Sequence, residues 1–265
     1  MTGSPSTSTS LEAQLDAVWA RNRVVQRERL AAVREAVECI AAGHGQRVQP
    51  GVIAAHKLAG SLGAFGLSTA SRAAARIEHL LPTARAADVP RLNRLIAQVA
   101  ADLDRGPRAG SARQDLQATV AAVAATERVD LVVVDDDQVF AEAIAAWSVA
   151  YGYNTQCFLD GGSALVALET LRPSAVLLDI DLPDVNGLEV LARLQATGVA
   201  ANTNVVMLTG KSAPPDVLRA LEYDIRGYVS KPVNMADLFA RLRAMLENNT
   251  DLFIVGPAVT AQPSH

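Results

Sequence analysis

Four short, continuously apolar runs in the second half of the chain each end close to a polar residue, and this pattern constrains the fold more than any other. The runs cover residues 131–134, 175–178, 205–208 and 227–229, and the polar residues at or just beyond their ends include Asp135, Asp179, Thr209 and Lys231. Val- and Leu-rich runs of this kind are typical of strands buried on both faces of a parallel sheet. Because parallel strands end at one edge of a sheet, these side chains are expected to converge in a single pocket.

Helical patterns separate the runs. Apolar residues recur every three to four positions within 140–150, 164–171, 188–194, 217–221 and 235–246, and a weaker strand pattern spans 155–158. Strands that alternate with helices in this way predict a doubly wound α/β fold around a five-stranded parallel sheet.

The polar residues at this edge suit phosphoryl chemistry. Asp135, Asp136 and Asp179 would place several negative charges together, which is unfavourable unless a cation offsets them. Mg²⁺ fits best, because it binds through one or two carboxylates and keeps positions for water and phosphoryl oxygens. Asp179, at the end of the central run, is the expected nucleophile that forms an aspartyl phosphate. Thr209 and Lys231 would hold the transferred oxygens by hydrogen bond and by charge.

Several motifs in this half resemble the CheY-like receiver domain of two-component response regulators, which has a flavodoxin-like fold. They are LVVVDDD at 131–137, LLDIDLPDVNG at 177–187, LTG at 208–210 and YVSKP at 228–232. The resemblance implies that Asp179 is phosphorylated. It implies that Mg²⁺ is held by Asp136, Asp179 and the main-chain carbonyl of Asp181, with Asp135 supporting the metal through water.

The same resemblance implies a conformational switch. Thr209 and Tyr228 match the family's switch pair, in which the hydroxyl moves toward the phosphate and the aromatic ring changes its exposure. The Lys231–Pro232 bond matches one that is usually cis in this family.

The first half of the chain carries helical patterns and no strand signal. The four helical stretches are 11–42, 52–65, 67–81 and 89–103, with Gly or Pro near the breaks, and they predict a four-helix bundle. On the second stretch, the core face would carry Leu58 and Leu62, whereas His56 shares an outward face with Gly60 and Gly63. The imidazole is therefore expected to face solvent over a surface of small residues that a partner's active site could approach.

This segment, residues 11–105, resembles the histidine phosphotransfer (HPt) domain, the four-helix module that passes phosphoryl groups between receivers. The resemblance centres on His56, Gly60 and Phe65-Gly66, and it implies that His56 is the phosphorylated residue. One position departs from the pattern, since Ala59 stands where the family commonly carries a Lys that helps to neutralise the phosphate. Lys57 is adjacent in sequence but would point about 100° round the helix.

The length of 265 residues is enough for two separate cores of ordinary size. The expected organisation is a disordered Ser/Thr-rich tail at 1–10, the helical bundle at 11–105, a linker at 106–127 that is either helical or flexible, the receiver at 128–247 and a C-terminal tail at 248–265. The reach of this linker neither requires nor excludes direct exchange between His56 and Asp179 of one chain.

Composition limits the remaining classes. A net charge of −4 with no basic run argues against a nucleic acid partner. The chain has no apolar stretch long enough to span a bilayer and no signal-peptide pattern, so cytoplasm is the expected location and no membrane partner is expected. Cys39 and Cys157 lack metal-ligand spacing and are expected to remain reduced thiols.

Three interpretations follow. The first is a bacterial phosphorelay protein, not an enzyme, in which Asp179 and His56 are two phosphoryl stations served by a histidine kinase and other relay proteins; a homodimer is compatible with it. The second is the regulatory N-terminal part of a longer response regulator enzyme, such as a diguanylate cyclase, suggested by the loss of pattern after Leu246. The third is that the helical domain is a degenerate docking or dimerisation module, for which Ala59 is the main support.

Overall fold

The computed structural model describes residues 7–107, 129–210, 222–223, 225–248 and 253–255. Most of the predicted linker, the predicted helix at 217–221 and the outer parts of both predicted tails lie outside the described residues. No helix within the described ranges is long and apolar enough to cross a membrane.

Four helices form the N-terminal bundle that the sequence predicts. They are α1 (Thr7–Ala41), α2 (Gln49–Ala64), α3 (Ser68–Leu80) and α4 (Val89–Arg105), joined partly by short 3-10 turns. Leu58, Leu62, Ile77 and Leu92 are fully buried between them. The predicted disordered tail at 1–10 is wrong in its second half, because α1 already begins at Thr7. Extending an existing helix costs little even through Ser and Thr, whose helix propensities are only slightly unfavourable.

The geometry at the C-terminal end of α2 explains why a glycine follows Phe65. The Gly66 N–H donates to the Gly63 carbonyl at 3.0 Å, and the Leu67 N–H donates to the Leu62 carbonyl at 3.0 Å. Gly66 has φ +73°, in the left-handed region that favours glycine. This ending reverses the chain into α3, so that α2 and α3 pack side by side.

The C-terminal domain is a doubly wound sheet. Its strands are β1 (Leu131–Val134), β2 (Thr155–Phe158), β3 (Ala175–Asp179), β4 (Asn204–Thr209), β5 (Gly227–Ser230) and β6 (Phe253–Val255). They are joined in parallel in the order β2-β1-β3-β4-β5-β6, which confirms the five predicted strands. The described helices around the sheet are α5 (Gln138–Ala150), α6 (Gly161–Leu171), α7 (Gly187–Ala196) and α8 (Met235–Asn248).

The sixth strand corrects the sequence prediction. Residues 253–255 fall in the predicted C-terminal tail, yet they pair with β5 in the register Gly227↔Phe253 and Val229↔Val255. An edge strand presents unpaired backbone N–H and C=O groups, so a short apolar segment can extend the sheet there. The sheet therefore includes residues 253–255, beyond the predicted receiver boundary at residue 247.

The two domains pack directly against each other. The apolar core of the bundle continues without a break into the core beneath α5 and α8 of the receiver. Trp147 on α5 is buried at this junction, where its indole Nε1–H donates to the carbonyl of Ala64 at 3.2 Å and its ring stacks on Phe239. The bundle thus covers the face of the receiver from which α5 projects.

Candidate functional site

Strand order and register bring the predicted acidic residues together. β1 and β3 are neighbours, with Val134 opposite Leu178, so Asp135 and Asp179 emerge side by side. Asp135 is fully buried and Asp179 is 2% exposed. One carboxylate oxygen from each of Asp135, Asp136 and Asp179 lies within 4.8 Å of the others. The sheet edge therefore carries a compact group of three carboxylates, as the sequence predicts.

Lys231 completes this group from the end of β5. Its Nζ lies 2.9 Å from Asp179 Oδ2 and 2.5 Å from Asp135 Oδ2, and 4.6 Å from the centroid of the Phe140 ring. Burial alone would lower the pKa of Lys231, but the two carboxylates outweigh it and raise the pKa. Lys231 is therefore a buried ammonium group held by two carboxylates, and the bond to Pro232 is cis, as the receiver resemblance implies.

The carboxyl of Asp135 has a raised pKa. Burial raises its pKa to about 7, the Lys231 ammonium opposes this rise, and the charges of Asp179 and Asp137 add to it. Its Oδ1 accepts a hydrogen bond from the Asp137 N–H at 3.0 Å. Lys231 pairs with Asp135 and Asp179 and Lys57 pairs with Asp136, so two cations face three carboxylates and a further cation would reduce the repulsion among them.

The structure places Thr209 at the same edge and Tyr228 inside the sheet. Thr209 ends β4, is buried, and its carbonyl accepts a hydrogen bond from the Lys231 N–H at 2.6 Å. Tyr228 lies in β5 opposite Met207 and is 2% exposed. The proximity of Thr209 to the cluster matches the sequence prediction, while the switch roles of both residues stay predictions.

The loop after β3 is held close to Asp179. The Ile180 N–H donates to Asp179 Oδ1 at 2.8 Å, and the Gly187 N–H donates to the Ile180 carbonyl at 2.9 Å. A Cβ at Gly187 would overlap the Asp179 carbonyl, so only glycine allows this approach. Asp181 lies in this loop and is exposed, and its role as a carbonyl ligand stays a prediction.

His56 lies at the edge of this acidic cluster. Its side chain, on α2, is only 20% exposed, and its Nδ1 lies 3.0 Å from Glu78 Oε1 on α3. The hydrogen bond with Glu78 raises the pKa of His56, although burial acts in the opposite direction. A Cβ at Gly210 would lie 2.6 Å from Nδ1 and 2.8 Å from Nε2 of the imidazole, so the ring lies directly against the receiver. His56 points away from the bundle core, as predicted. The prediction that it faces solvent is wrong, because the receiver covers the face of α2 that carries His56.

The small residues around His56 allow the close approach of the two domains. A Cβ at Gly60 would lie 3.5 Å from Cδ of Lys231, and one at Gly63 would lie 3.2 Å from Cβ of Pro232. Between the domains a cavity of about 10 Å³ is lined by His56, Lys57, Gly60, Asp136, Asp137, Phe140 and Lys231. This volume is close to the minimum that one water molecule needs.

Two ion pairs connect the bundle to the acidic motif of the receiver. Arg29 on α1 donates to Asp137 through its two terminal guanidinium nitrogens, each 2.9 Å from a carboxylate oxygen. Lys57 Nζ lies 2.7 Å from Asp136 Oδ2. Sequence reasoning missed Arg29 and Glu78 and set Lys57 aside, because charged residues on helices carry no local signal of a distant partner.

Comparisons with known proteins match both domains. Residues 23–109 match the family model described as Hpt domain, and residues 131–243 match the one described as Response regulator receiver domain. The DNA-binding response regulator MtrA of Mycolicibacterium smegmatis is 38% identical over 144 residues, which are 53% of this chain and 62% of the relative. The probable transcriptional regulatory protein TcrX of Mycobacterium tuberculosis is 34% identical over 144 residues, 52% of this chain and 61% of the relative. The matched part thus spans somewhat over half the length of these relatives.

A solved structure is also similar to part of this chain. The CheY-like response regulator receiver domain protein of Methanospirillum hungatei is 26% identical, with a TM-score of 0.42, over 45% of this chain and 94% of that one. The two family matches together account for the bundle and for the sheet domain with its acidic cluster. This chain therefore contains an Hpt domain followed by a response regulator receiver domain.

Proposed function

We propose that this chain is a phosphorelay protein in which Asp179 accepts a phosphoryl group and His56 is the phosphotransfer histidine. The observation that carries the proposal is the position of His56, whose ring lies against Gly210 and lines the same cavity as Lys231 and Asp136. Neither an ordinary surface histidine nor a solvated acidic loop accounts for this juxtaposition.

Mg²⁺ is the cofactor that suits this cluster. The three carboxylate oxygens of Asp135, Asp136 and Asp179 lie within 4.8 Å of one another, a donor set of hard oxygens that suits a small divalent cation. Asp136 and Asp179 would hold the ion with the main-chain carbonyl of Asp181, and Asp135 would support it through water. When bound, the ion supplies charge that neutralises the phosphoryl oxygens.

In the first transfer, from the phosphodonor to Asp179, each residue of the receiver site has a separate role. A carboxylate oxygen of Asp179 attacks the phosphorus of the donor, the bond from phosphorus to the leaving group breaks, and an acyl phosphate forms on Asp179. Lys231, already 2.9 Å from Asp179 Oδ2, then balances the charge of the phosphoryl oxygens, and the hydroxyl of Thr209 donates a hydrogen bond to one of them. In this proposal Thr209 and Tyr228 act as the switch pair.

The second transfer uses His56. Nε2 of the neutral imidazole attacks the phosphorus, the phosphorus–oxygen bond to Asp179 breaks, and Asp179 leaves as a carboxylate. The ring becomes a phosphorylated cation that keeps its Nδ1 proton. Glu78 accepts a hydrogen bond from that Nδ1–H and balances the positive charge, which orients Nε2 as the reacting atom. The reverse transfer follows the same path.

In this proposal the chain acts in the cytoplasm with a histidine kinase and other relay proteins, as a phosphoacceptor and phosphotransfer protein and not as an enzyme with its own substrate. The relatives named DNA-binding response regulators indicate that receivers of this kind occur in DNA-binding proteins, but the net charge of −4 gives no basis for a nucleic acid partner here.

A docking module without phosphotransfer is the second candidate. It is favoured by Ala59, which is buried and offers no cation to a phosphate, and by the ion pair that commits Lys57 to Asp136. The receiver can supply the cation that Ala59 does not. Lys231 is close enough to His56 for its positive charge to lower the pKa of the imidazole, so it is also close enough to act on a phosphate there.

The test is chemical location of the phosphate. The wild-type chain is incubated with acetyl phosphate and Mg²⁺, and phosphorylated peptides are identified by mass spectrometry under conditions that preserve both acyl phosphate and phosphohistidine. We expect acyl phosphate on Asp179 and phosphate on His56, loss of both in Asp179→Ala, and loss of the second alone in His56→Gln. Phosphorylation of Asp179 with no label on His56 would favour the docking module.

A further inference from the structure

We propose that the phosphoryl partner of His56 is Asp179 of the same chain, across a cis interface between the bundle and the receiver. This inference rests on the proposed function, and it adds which receiver the bundle serves.

The apolar part of the interface has the character of a protein interior. Trp147 is buried between the domains, stacked on Phe239 and hydrogen-bonded to the Ala64 carbonyl at 3.2 Å. The buried apolar cluster includes residues of both domains. Separating the domains would expose this aromatic and aliphatic surface to water, so the docked arrangement is favoured.

Charge complementarity fixes the docking register. The bundle contributes the cations Arg29 and Lys57, and the receiver contributes the anions Asp136 and Asp137. The side chains of Arg29 and Asp137 are only 14% and 5% exposed, so loss of either partner would leave a desolvated charge without its counter-ion. A further contact, from the Asn22 amide to Glu142 at 3.0 Å, supports the same register on the second turn of α5.

The docked arrangement also limits access to Asp179. Asp179 is only 2% exposed, and the cavity between His56 and Asp136, at about 10 Å³, has room for about one water molecule. Charging of Asp179 from outside therefore requires the bundle to move away, and transfer to His56 requires it to return. Because residues 108–128 tether the domains, the return is intramolecular, at an effective concentration on the order of millimolar.

A mixing experiment distinguishes cis from trans transfer. His56→Gln can charge Asp179 but cannot accept on the histidine, and Asp179→Asn offers His56 but cannot be charged. At micromolar concentration with acetyl phosphate and Mg²⁺, we expect the wild type to label His56 and the mixture to give less than about one tenth of that label. Equal label on His56 in the mixture and the wild type overturns the cis pairing alone. Absence of label on His56 in the wild type overturns the proposed function as well.

A matched pair of variants tests the interface itself. Arg29→Glu replaces the cation that binds Asp137, whereas Arg27→Glu changes an exposed arginine that pairs with Asp104 inside the bundle. We expect Arg29→Glu to slow the appearance of phosphate on His56 by about tenfold or more, while Arg27→Glu behaves as the wild type.

The charging step gives a second readout of the same variant. In a His56→Gln background, Arg29→Glu should charge Asp179 at least as fast as the parent, because the bundle obstructs the site less. Circular dichroism checks that the helices persist. Wild-type transfer to His56 by Arg29→Glu overturns the cis interface.

Discussion

Lys57 Nζ lies 2.7 Å from Asp136 Oδ2, so an ammonium group of the bundle neutralises a carboxylate of the proposed metal site. A divalent cation bound at the cluster would repel this ammonium at short range, even though both side chains of the pair are partly exposed and screened by solvent. Docking of Lys57 and binding of Mg²⁺ therefore oppose each other.

Replacement of Lys57 by Gln is expected to tighten Mg²⁺ binding by about three- to tenfold, because the competing charge is removed. Isothermal titration calorimetry of the full chain with MgCl₂ measures the effect. Lys57→Arg keeps the charge and should bind Mg²⁺ as the wild type does. Unchanged or weaker Mg²⁺ binding by Lys57→Gln would show that Lys57 does not compete.

Removal of the Lys231 ammonium should destabilise the receiver. Lys231→Met leaves Asp135 and Asp179 buried beside each other without their shared counter-ion, at a cost of about 3 kcal/mol in the free energy of unfolding. Urea denaturation without Mg²⁺ measures this loss, and we expect addition of Mg²⁺ to recover part of it because the ion restores positive charge to the cluster. Equal stability of variant and wild type would contradict the ion network.

Much of this fold and of its acidic cluster is predictable from sequence because the signals are local. The run from Leu131 to Val134 predicts a buried strand by its composition alone, and the position of Asp179 behind another such run places it at the same edge. β6 could not be predicted in this way, because a run of only three apolar residues at 253–255 is too short to be recognised as a strand.

The interface could not be predicted in the same way. Arg29 is 108 positions away from Asp137, and nothing near Arg29 in sequence distinguishes it from the other charged residues of a long helix. The outward direction of His56 follows from helical periodicity, but what covers that face depends on how two domains dock. Glu78 was missed because its contact with His56 joins two helices whose relative rotation the sequence does not specify.

Glu78 should control the protonation of His56. In Glu78→Gln the hydrogen bond to a carboxylate is lost while burial remains, so the pKa of His56 is expected to fall from its raised value. Proton NMR titration of the imidazole Cε1–H, assigned with His56→Gln, measures this change. An unaltered pKa in Glu78→Gln would contradict the pairing.

The same ion pair gives a pH dependence of stability. Because the pKa of His56 is raised in the folded chain, the pair contributes stability that is fully present below the ordinary histidine pKa of 6.5 and is lost as pH rises through the folded pKa. Glu78→Gln should remove this contribution, so its difference in stability from the wild type should be larger at pH 5.5 than at pH 8. Urea denaturation at both values tests the sign.

The substitution Gly210→Ala, which adds one methyl group, tests how closely the two domains pack. A Cβ at this position would overlap the His56 ring, so Gly210→Ala is expected to destabilise docking by about 1–3 kcal/mol and to reduce transfer to His56 by about tenfold. The buried indole of Trp147 should then become more accessible, which acrylamide quenching of tryptophan fluorescence detects. Gly45→Ala is the matched control, because nothing lies within 4 Å of a Cβ there.

Phosphorylation of Asp179 in a His56→Gln background should survive the change at Gly210, since the added methyl group meets the bundle and not the carboxylate cluster. Transfer and quenching equal to the wild type would mean that the ring of His56 does not rest on Gly210 in solution.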